Sequence, residues 1–317
     1  MSLKGKNTLE QISRQIYVSD IINIVFVAFL LVVAVVFSDR VQNPKLLIML
    51  YSAMLAAAFS LILFVRPESG SVLYFLRRWY PMAFVILAFF SLGWVVHYVL
   101  PYDIDSQLIE IDLLLFRVHP TVFLSQFMNP YAVDLLEICY ASFYFLPVIL
   151  GFALYRKRKM REFEMFAIIA CLGFYLSDIG NLLFPARGPS QTLTAYHVIP
   201  LEGKWVGGFI RTLIYTLEPY RYDCFPSGHV AVTLLTVVLA YRFERRLFWW
   251  MLPISIGLVF STVYLRYHYV IDIFAGAALS GVILTGAEAV QRVWPRVRQF
   301  KARSLFFQTS YADKDIS

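Results

Sequence analysis

The chain has 317 residues, of which 59% are hydrophobic and only 15% charged. Soluble globular domains carry about 25% charged residues, so a lipid bilayer is the expected solvent for most of this surface. The net charge of +7 does not call for nucleic acid, because an excess of Lys and Arg in loops kept inside the cell accounts for it. Among the three cysteines there is neither a disulfide framework nor C-x-x-C metal spacing.

A hydrocarbon core about 30 Å thick needs roughly 20 apolar residues per helix. Eight segments qualify in chain order: 20–37, 46–65, 81–100, 131–155, 163–184, 228–241, 247–265 and 269–290, the sixth being short. The first has no small-residue cleavage site and is read as a retained helix. The fold class expected is therefore all-α, a polytopic transmembrane bundle of about eight spanning helices. Between the third and fourth spans, residues 102–130 alternate apolar side chains with Asp103, Asp105, Glu110 and Asp112, a pattern of one or two helices lying in the membrane interface. Residues 185–226 form a long polar loop with Gly188, Pro189, Gly203 and Pro219, of the length at which loops tend to carry function.

Orientation follows from the basic residues. With the N-terminus inside and eight spans, all of the 28 Lys and Arg residues fall on the inner side except Arg40, Lys45, Arg117, Arg187, Lys204, Arg211, Arg221 and Arg266. That bias places both termini inside. The outer face then holds the C-terminal end of the fifth span, the N-terminal end of the sixth and the turn between the seventh and eighth.

Residues with chemical potential gather at those three places. Cys224-Phe225-Pro226-Ser227-Gly228-His229 leads into the sixth span. Ser227 can cap that helix, Gly228 lets a ligand approach the backbone, and the helix N-terminus favours an anion beside His229. In the second cluster His268 and Asp272 are four apart, on one helix face. Asp272 can accept the Nδ1 proton and leave Nε2 as a free lone pair, the arrangement of a nucleophilic or basic histidine. A structural His–Asp pair tying two helices is the alternative. An unpartnered Asp at mid-membrane would cost about 2.5–3.5 kcal/mol. The third cluster is Phe184-Pro185-Ala186-Arg187-Gly188-Pro189-Ser190, where Arg187 in a Gly/Pro turn suits a phosphate. With Arg266 this gives two imidazoles, two guanidiniums and a helix N-terminus on one side of one membrane, a site for a phosphoryl group.

These residues resemble the type 2 phosphatidic acid phosphatase superfamily, whose motifs are Lys-x6-Arg-Pro, Pro-Ser-Gly-His and Ser-Arg-x5-His-x3-Asp. The second stands in full as Pro226-Ser227-Gly228-His229. The third is met at Ser261, His268 and Asp272. The resemblance covers about residues 81–290, which would be a six-helix catalytic core, with residues 1–80 adding two helices and 291–317 a basic inner tail. It implies that His268 is the nucleophile, that Asp272 orients it and that His229 protonates the leaving group. It further implies that Arg187, Ser227 and Gly228 hold phosphoryl oxygens. The first motif's lysine falls at Gly180 and its proline one residue late at Pro189. Thr262 replaces the third motif's arginine, and Arg266 is the candidate to supply the missing cation. Tyr264-Leu265-x-x-His268-Tyr269-x-x-Asp272, the Phe-Pro-Ala turn and the acidic segment before Pro120 are similar to the inositol phosphorylceramide synthase branch.

The expectation is a membrane-embedded lipid phosphate phosphatase working through a phosphohistidine. The alternative is a lipid phosphotransferase that moves a phosphorylated head group to a lipid alcohol, and a third class is a transporter or scaffold that kept the fold. No cofactor and no metal are expected, since no further His–carboxylate set has ligand spacing. The expected partners are a lipid phosphate and membrane lipids, and the oligomeric state is left open. Short polar tails and no organelle signal favour a bacterial inner membrane, with the site facing the periplasm or outside. Asp178 and Asn181 are expected to bond neighbouring helices or to support Arg187. His97 and His119 are expected at the interface, His197 in the outer loop, and Asp134 and Glu137 against loop arginines.

Overall fold

The structure, a computed structural model, describes residues 16–65, 72–217, 222–287 and 289. Among them every regular element is helical. In chain order they are α1 (Val18–Val36), α2 (Pro44–Phe64), α3 (Val72–Leu92), the single turn α4 (Val96–Val99), α5 (Asp105–Phe116) and α6 (Pro120–Ser125). There follow α7 (Pro130–Ala141), α8 (Leu146–Arg156), α9 (Met160–Leu183), the turn α10 (Pro189–Thr192), α11 (Gly207–Leu217), α12 (Gly228–Phe243), α13 (Arg245–Tyr264) and α14 (Val270–Ala287). Helices α1, α2, α3, α9, α13 and α14 are long and apolar enough to cross a membrane. Their outer faces carry apolar side chains in the open, Phe64 at 80% exposure and Val282 at 66%. A soluble protein would bury such residues, so the chain is an integral membrane protein whose outer surface is solvated by lipid.

The fourth expected span takes another form, and the sixth is short, as expected. The fourth is a pair, α7 continued by a 3-10 turn (Ser142–Tyr144) and then α8, bent by 46° at the join. Pro147 in the first turn of α8 has no N–H to donate and its ring crowds the carbonyl one turn back, which breaks the ladder there. The sixth, α12, has 16 residues, a rise of about 24 Å. The third span begins nine residues before the expected Pro81, which lies inside α3. Hydropathy starts the helix late because it counts Arg77 and Arg78 as loop charges. Both are buried. Arg77 Nη1 donates to Asp20 Oδ1 at 2.6 Å, Tyr80 Oη donates to the same oxygen at 2.6 Å, and Arg78 pairs with Glu164 at 3.3 Å. A buried arginine is tolerable only with such partners. The pair also ties α1 to α3, so the boundary expected at residue 80 falls within one helix.

Helix α9 is the axis of the bundle. Two thirds of its span (67%) is buried, against 28% for α2. On one side Cys171, Tyr175 and Leu182 join a core with α1, α2 and α3, where Phe26 stacks on Tyr175 at 3.9 Å. On the other side Phe163, Phe166 and Ile169 join a core with α8, α12, α13 and α14. The residues expected to form a basic inner tail, 291–317, lie outside the described residues.

The interfacial segment folds as two helices, α5 and α6. Asp105 and Asp112, two turns apart on α5, are both buried, while Glu110 on another face is exposed. Asp112 accepts the backbone N–H groups of Val270 at 2.9 Å and Ile271 at 3.0 Å. It thereby caps the N-terminus of α14 from another helix, where unpaired donors and the helix dipole both favour a carboxylate. Asp134 does the same for α11, accepting from Trp205, Val206 and Gly207 at 2.7–3.1 Å.

Candidate active site

Four chain segments meet at one end of the bundle, held by backbone bonds. Cys224 N donates to Ala186 O at 3.2 Å, Ser190 N to Arg266 O at 2.9 Å and Ser227 N to Asp272 O at 3.3 Å. Close approach is enforced by glycine. Gly188 has φ +86° and ψ 167°, a conformation essentially restricted to glycine. A Cβ there would lie 2.6 Å from Tyr267 O and 3.1 Å from Cys224 Sγ. A Cβ on Gly180 would overlap the ring of Pro226, with its Cγ 2.9 Å away. The position that aligns with the family motif's lysine therefore carries the residue that lets α9 lie against the Pro226–His229 segment.

His268 is buried, and its Nδ1 lies 2.9 Å from Cys224 O. A carbonyl oxygen only accepts, so Nδ1 carries the proton and the neutral ring presents a lone pair at Nε2. That atom is 3.2 Å from Ser227 Oγ. Ser227 Oγ also accepts Val230 N at 3.3 Å as the cap of α12, which leaves its hydroxyl hydrogen free for Nε2. Asp272 Oδ2 is farther from Nδ1, at 3.4 Å. The same oxygen accepts Tyr269 N at 2.8 Å and the Cys224 thiol at 2.9 Å. The nearer acceptor of the His268 proton is thus a main-chain carbonyl, with the Asp272 carboxyl behind it.

His229 is buried in an aromatic sleeve. Tyr140 stacks on it with centroids 4.4 Å apart, Phe143 packs at 4.1 Å, and Tyr140 Oη is 3.5 Å from Nδ1. The break between α7 and α8 brings both aromatic residues there. His229 Nε2 is buried without a partner, and its ring centroid is 5.8 Å from that of His268.

Arg187 and His268 line one small cavity of about 50 Å³ with Ser190, Tyr215, Asp223 and Cys224. The guanidinium pairs with Asp103 at 2.8 Å. Its backbone N–H and that of Gly188 both donate to Asp105, each at 2.8 Å. Tyr269 Oη donates to Asp105 at 2.8 Å as well, so one carboxylate positions the arginine turn and the start of α14 together. The structure thus brings together Arg187, Ser227, Gly228, His229, His268 and Asp272.

Arg266 is placed elsewhere. Its φ is +68°, and its Nη2 donates to Ile199 O at 2.6 Å and Ser125 Oγ at 3.1 Å. The left-handed turn points the guanidinium toward α6 and the outer loop, where burial lowers its pKa, Arg211 adding to the effect. It does not line the cavity that holds Arg187 and His268, where a substitute for the third motif's arginine was expected. Thr262, at that motif position, accepts His268 N and Tyr267 N at 2.9 Å each through its carbonyl.

Sequence reasoning missed several contributors. Cys224 supplies the carbonyl for His268 and a thiol for Asp272. Asp223 lines the Arg187 cavity, and burial pushes its carboxyl pKa up against the opposing pull of His268. Asp105 and Tyr140 hold the arginine turn and the second imidazole. Asp105 and Asp112, seven apart on an apolar helix, were the readable signal, because two acids on one helix face demand partners. Asp178 and Asn181 neither reach Arg187 nor bond a neighbouring helix: Asp178 Oδ2 and Asn181 Oδ1 are buried without partners. Glu137 meets an arginine of the segment expected as a loop, accepting Arg211 Nε on α11 at 2.9 Å. His97 stacks on Tyr222 at 4.7 Å. His197 bonds Thr121 at 3.1 Å, and burial pulls its pKa down to about 4.

Cys224, His268 and Asp272 offer ligand atoms within 4.8 Å of one another, a spacing a metal ion could use. In this structure the three are bonded to one another and to the backbone: the Cys224 thiol donates to Asp272 at 2.9 Å and His268 Nδ1 bonds Cys224 O at 2.9 Å.

Comparison with known proteins gives the family. The model of the PAP2 superfamily matches residues 106–286, more than half of the chain, and leaves out α1 to α4. A PA-phosphatase related-family protein of Dictyostelium discoideum is 26% identical over 170 residues, 47% of this chain and 31% of that protein. The chain thus spans about a third of that relative's length. An uncharacterized protein of Methanocaldococcus jannaschii is 23% identical over 206 residues, covering 64% of this chain and 79% of its own. No solved structure matches.

Proposed function

The chain belongs to the PAP2 superfamily, and from that premise we propose that it is a membrane-embedded lipid phosphate phosphatase using His268 as a covalent nucleophile. The observation that carries this reading is the bond from His268 Nδ1 to Cys224 O, which fixes the tautomer and puts the attacking lone pair on Nε2, where the Ser227 hydroxyl meets it until a phosphoryl group takes its place. In the first step Nε2 bonds to phosphorus while the ester P–O bond breaks, and His229 Nε2 hands a proton to the departing alkoxide. In the second step water attacks phosphorus, the P–N bond breaks, the electron pair returns to His268 and His229 takes the water proton. Arg187, Ser227 and the N-terminus of α12 at Gly228 stabilise charge on the phosphoryl oxygens, and donors of this kind contribute about 3–4 kcal/mol each. Asp272 stabilises the imidazolium state of His268 electrostatically, its two close hydrogen bonds keeping it in place. Twenty of the basic residues on one side of the expected topology support a site that faces outward.

The test is release of inorganic phosphate from a panel of lipid phosphates by the purified protein in lipid nanodiscs, beside His268→Ala. Wild type should release phosphate, take up label from a phosphorus-labelled substrate in an acid-labile form, and keep its rate in EDTA. His268→Ala should lose the label and at least a thousandfold in rate. Unchanged turnover in that variant, or EDTA inhibition reversed by added metal, overturns the mechanism.

A further inference from the structure

A second cavity, of about 210 Å³, also has His229 in its lining. Most of that lining is apolar, with Trp79, Val85, Ile86 and Phe90 from α3 and Pro147 and Val148 from α8, and its polar part is Ser177, Asp178, Asn181, Asp223 and His229. Ile86 and Phe90 are exposed on the lipid side of the bundle. At the polar end three side chains that are nine-tenths or more buried carry unpartnered atoms, Asp178 Oδ2, Asn181 Oδ1 and His229 Nε2. A buried polar atom left without a bond costs about 1–3 kcal/mol, and such atoms in native proteins call for an explanation. Here they face the same space as the imidazole that handles the leaving group.

We propose that Asp178 and Asn181 form a subsite for the alcohol portion of the substrate and select an alcohol that carries a second hydrogen-bond donor beside the phosphorylated oxygen. The proposal rests on the phosphohistidine reading above. His229 serves the oxygen that leaves phosphorus, so the carbons bearing that oxygen sit in this cavity. The alkyl chain lies along the α3 wall, and His229 is already engaged by the reacting oxygen. Asp178 and Asn181 then remain for a neighbouring hydroxyl. Asp178 precedes the first motif and Asn181 falls at one of its unspecified positions, so neither is a residue by which the motifs place the phosphate. An apolar-walled cavity ending in buried acceptors suits an amphiphile whose head donates hydrogen bonds, and a site built to bond a hydroxyl discriminates against the analogue that lacks it.

The test compares two substrates of equal chain length, decyl phosphate and 2-hydroxydecyl phosphate, on wild type, Asp178→Ala, Asn181→Ala and His268→Ala. The readout is the ratio of kcat/KM for the hydroxylated over the plain compound. This ratio is internal to each preparation, so loss of folded protein cancels. Wild type should prefer the hydroxylated substrate about tenfold or more, and each of the two subsite variants should bring the ratio toward one. Equal hydrolysis of both compounds by wild type, or a preference that survives both substitutions, overturns the subsite while the phosphatase reading stands. Hydrolysis of neither compound, or full turnover in His268→Ala, overturns both.

Discussion

Gly188→Ala probes how tightly the arginine turn is seated. The backbone there has φ +86° and ψ 167°, and a residue with a Cβ pays about 1–3 kcal/mol to hold such a conformation. The new Cβ would also stand 2.6 Å from Tyr267 O, whereas ordinary contact begins near 3.4 Å. The turn must therefore retreat by about 0.8 Å, the difference between those distances. That retreat moves Arg187, one residue back, and presses on Tyr267 and Cys224, which flank and hold His268. A misplacement of about 1 Å in a catalytic assembly can cost on the order of a hundredfold, so kcat should fall about 30- to 100-fold. The assay is phosphate release with kcat and KM separated, together with thermal unfolding of the same sample. The variant should still fold, with a lowered midpoint and a loss concentrated in kcat. Activity within twofold of wild type at an unchanged midpoint would refute the claim that this glycine sets the spacing of the site.

Two other perturbations act through named bonds. Asp105→Asn keeps the shape of the side chain but turns one acceptor into a donor, facing the backbone N–H of Arg187 or Gly188. Loss of a bond to a charged acceptor should lower stability by about 1.5–3 kcal/mol and reduce phosphate release, measured by unfolding and kinetics on one preparation. At the far end of the bundle, Glu244 accepts Lys157 at 2.6 Å and Lys159 at 2.9 Å. Burial alone would raise the Glu244 pKa, but the two lysines more than offset it and hold it below the ordinary value. Because the folded pKa is depressed, this pair stabilises the fold above the ordinary glutamate range and ceases to do so as pH falls through the folded value. Glu244→Gln should lower stability at pH 7 by no more than about 1 kcal/mol, because the lysines are solvent-exposed. The difference should close as pH falls through the depressed folded value of Glu244 and shrink in high salt.

The sequence by itself determined the solvent, the helical class and the list of reactive side chains. A scarcity of charge and long apolar runs leave backbone groups no partners but their own helix, so a bundle follows from composition. Pro226 to His229 and His268 with Asp272 were legible because each set lies within a few residues of chain, although His268 sits in the turn before α14 and not, as the four-residue spacing suggested, on one helix face with Asp272. The tertiary structure alone decided which atoms pair. It gave the His268 proton first to Cys224 O, turned Arg266 away through a left-handed backbone, and buried Arg77 and Arg78 inside a span the hydropathy began nine residues late. It also split the fourth span at Pro147, so that Tyr140 and Phe143 close on His229, and left Asp178 and Asn181 without partners at the end of an apolar cavity. Apart from the break that Pro147 imposes locally, these depend on where a segment dozens of residues away comes to rest, and on burial, which raises the cost of every polar atom that arrives there unpaired.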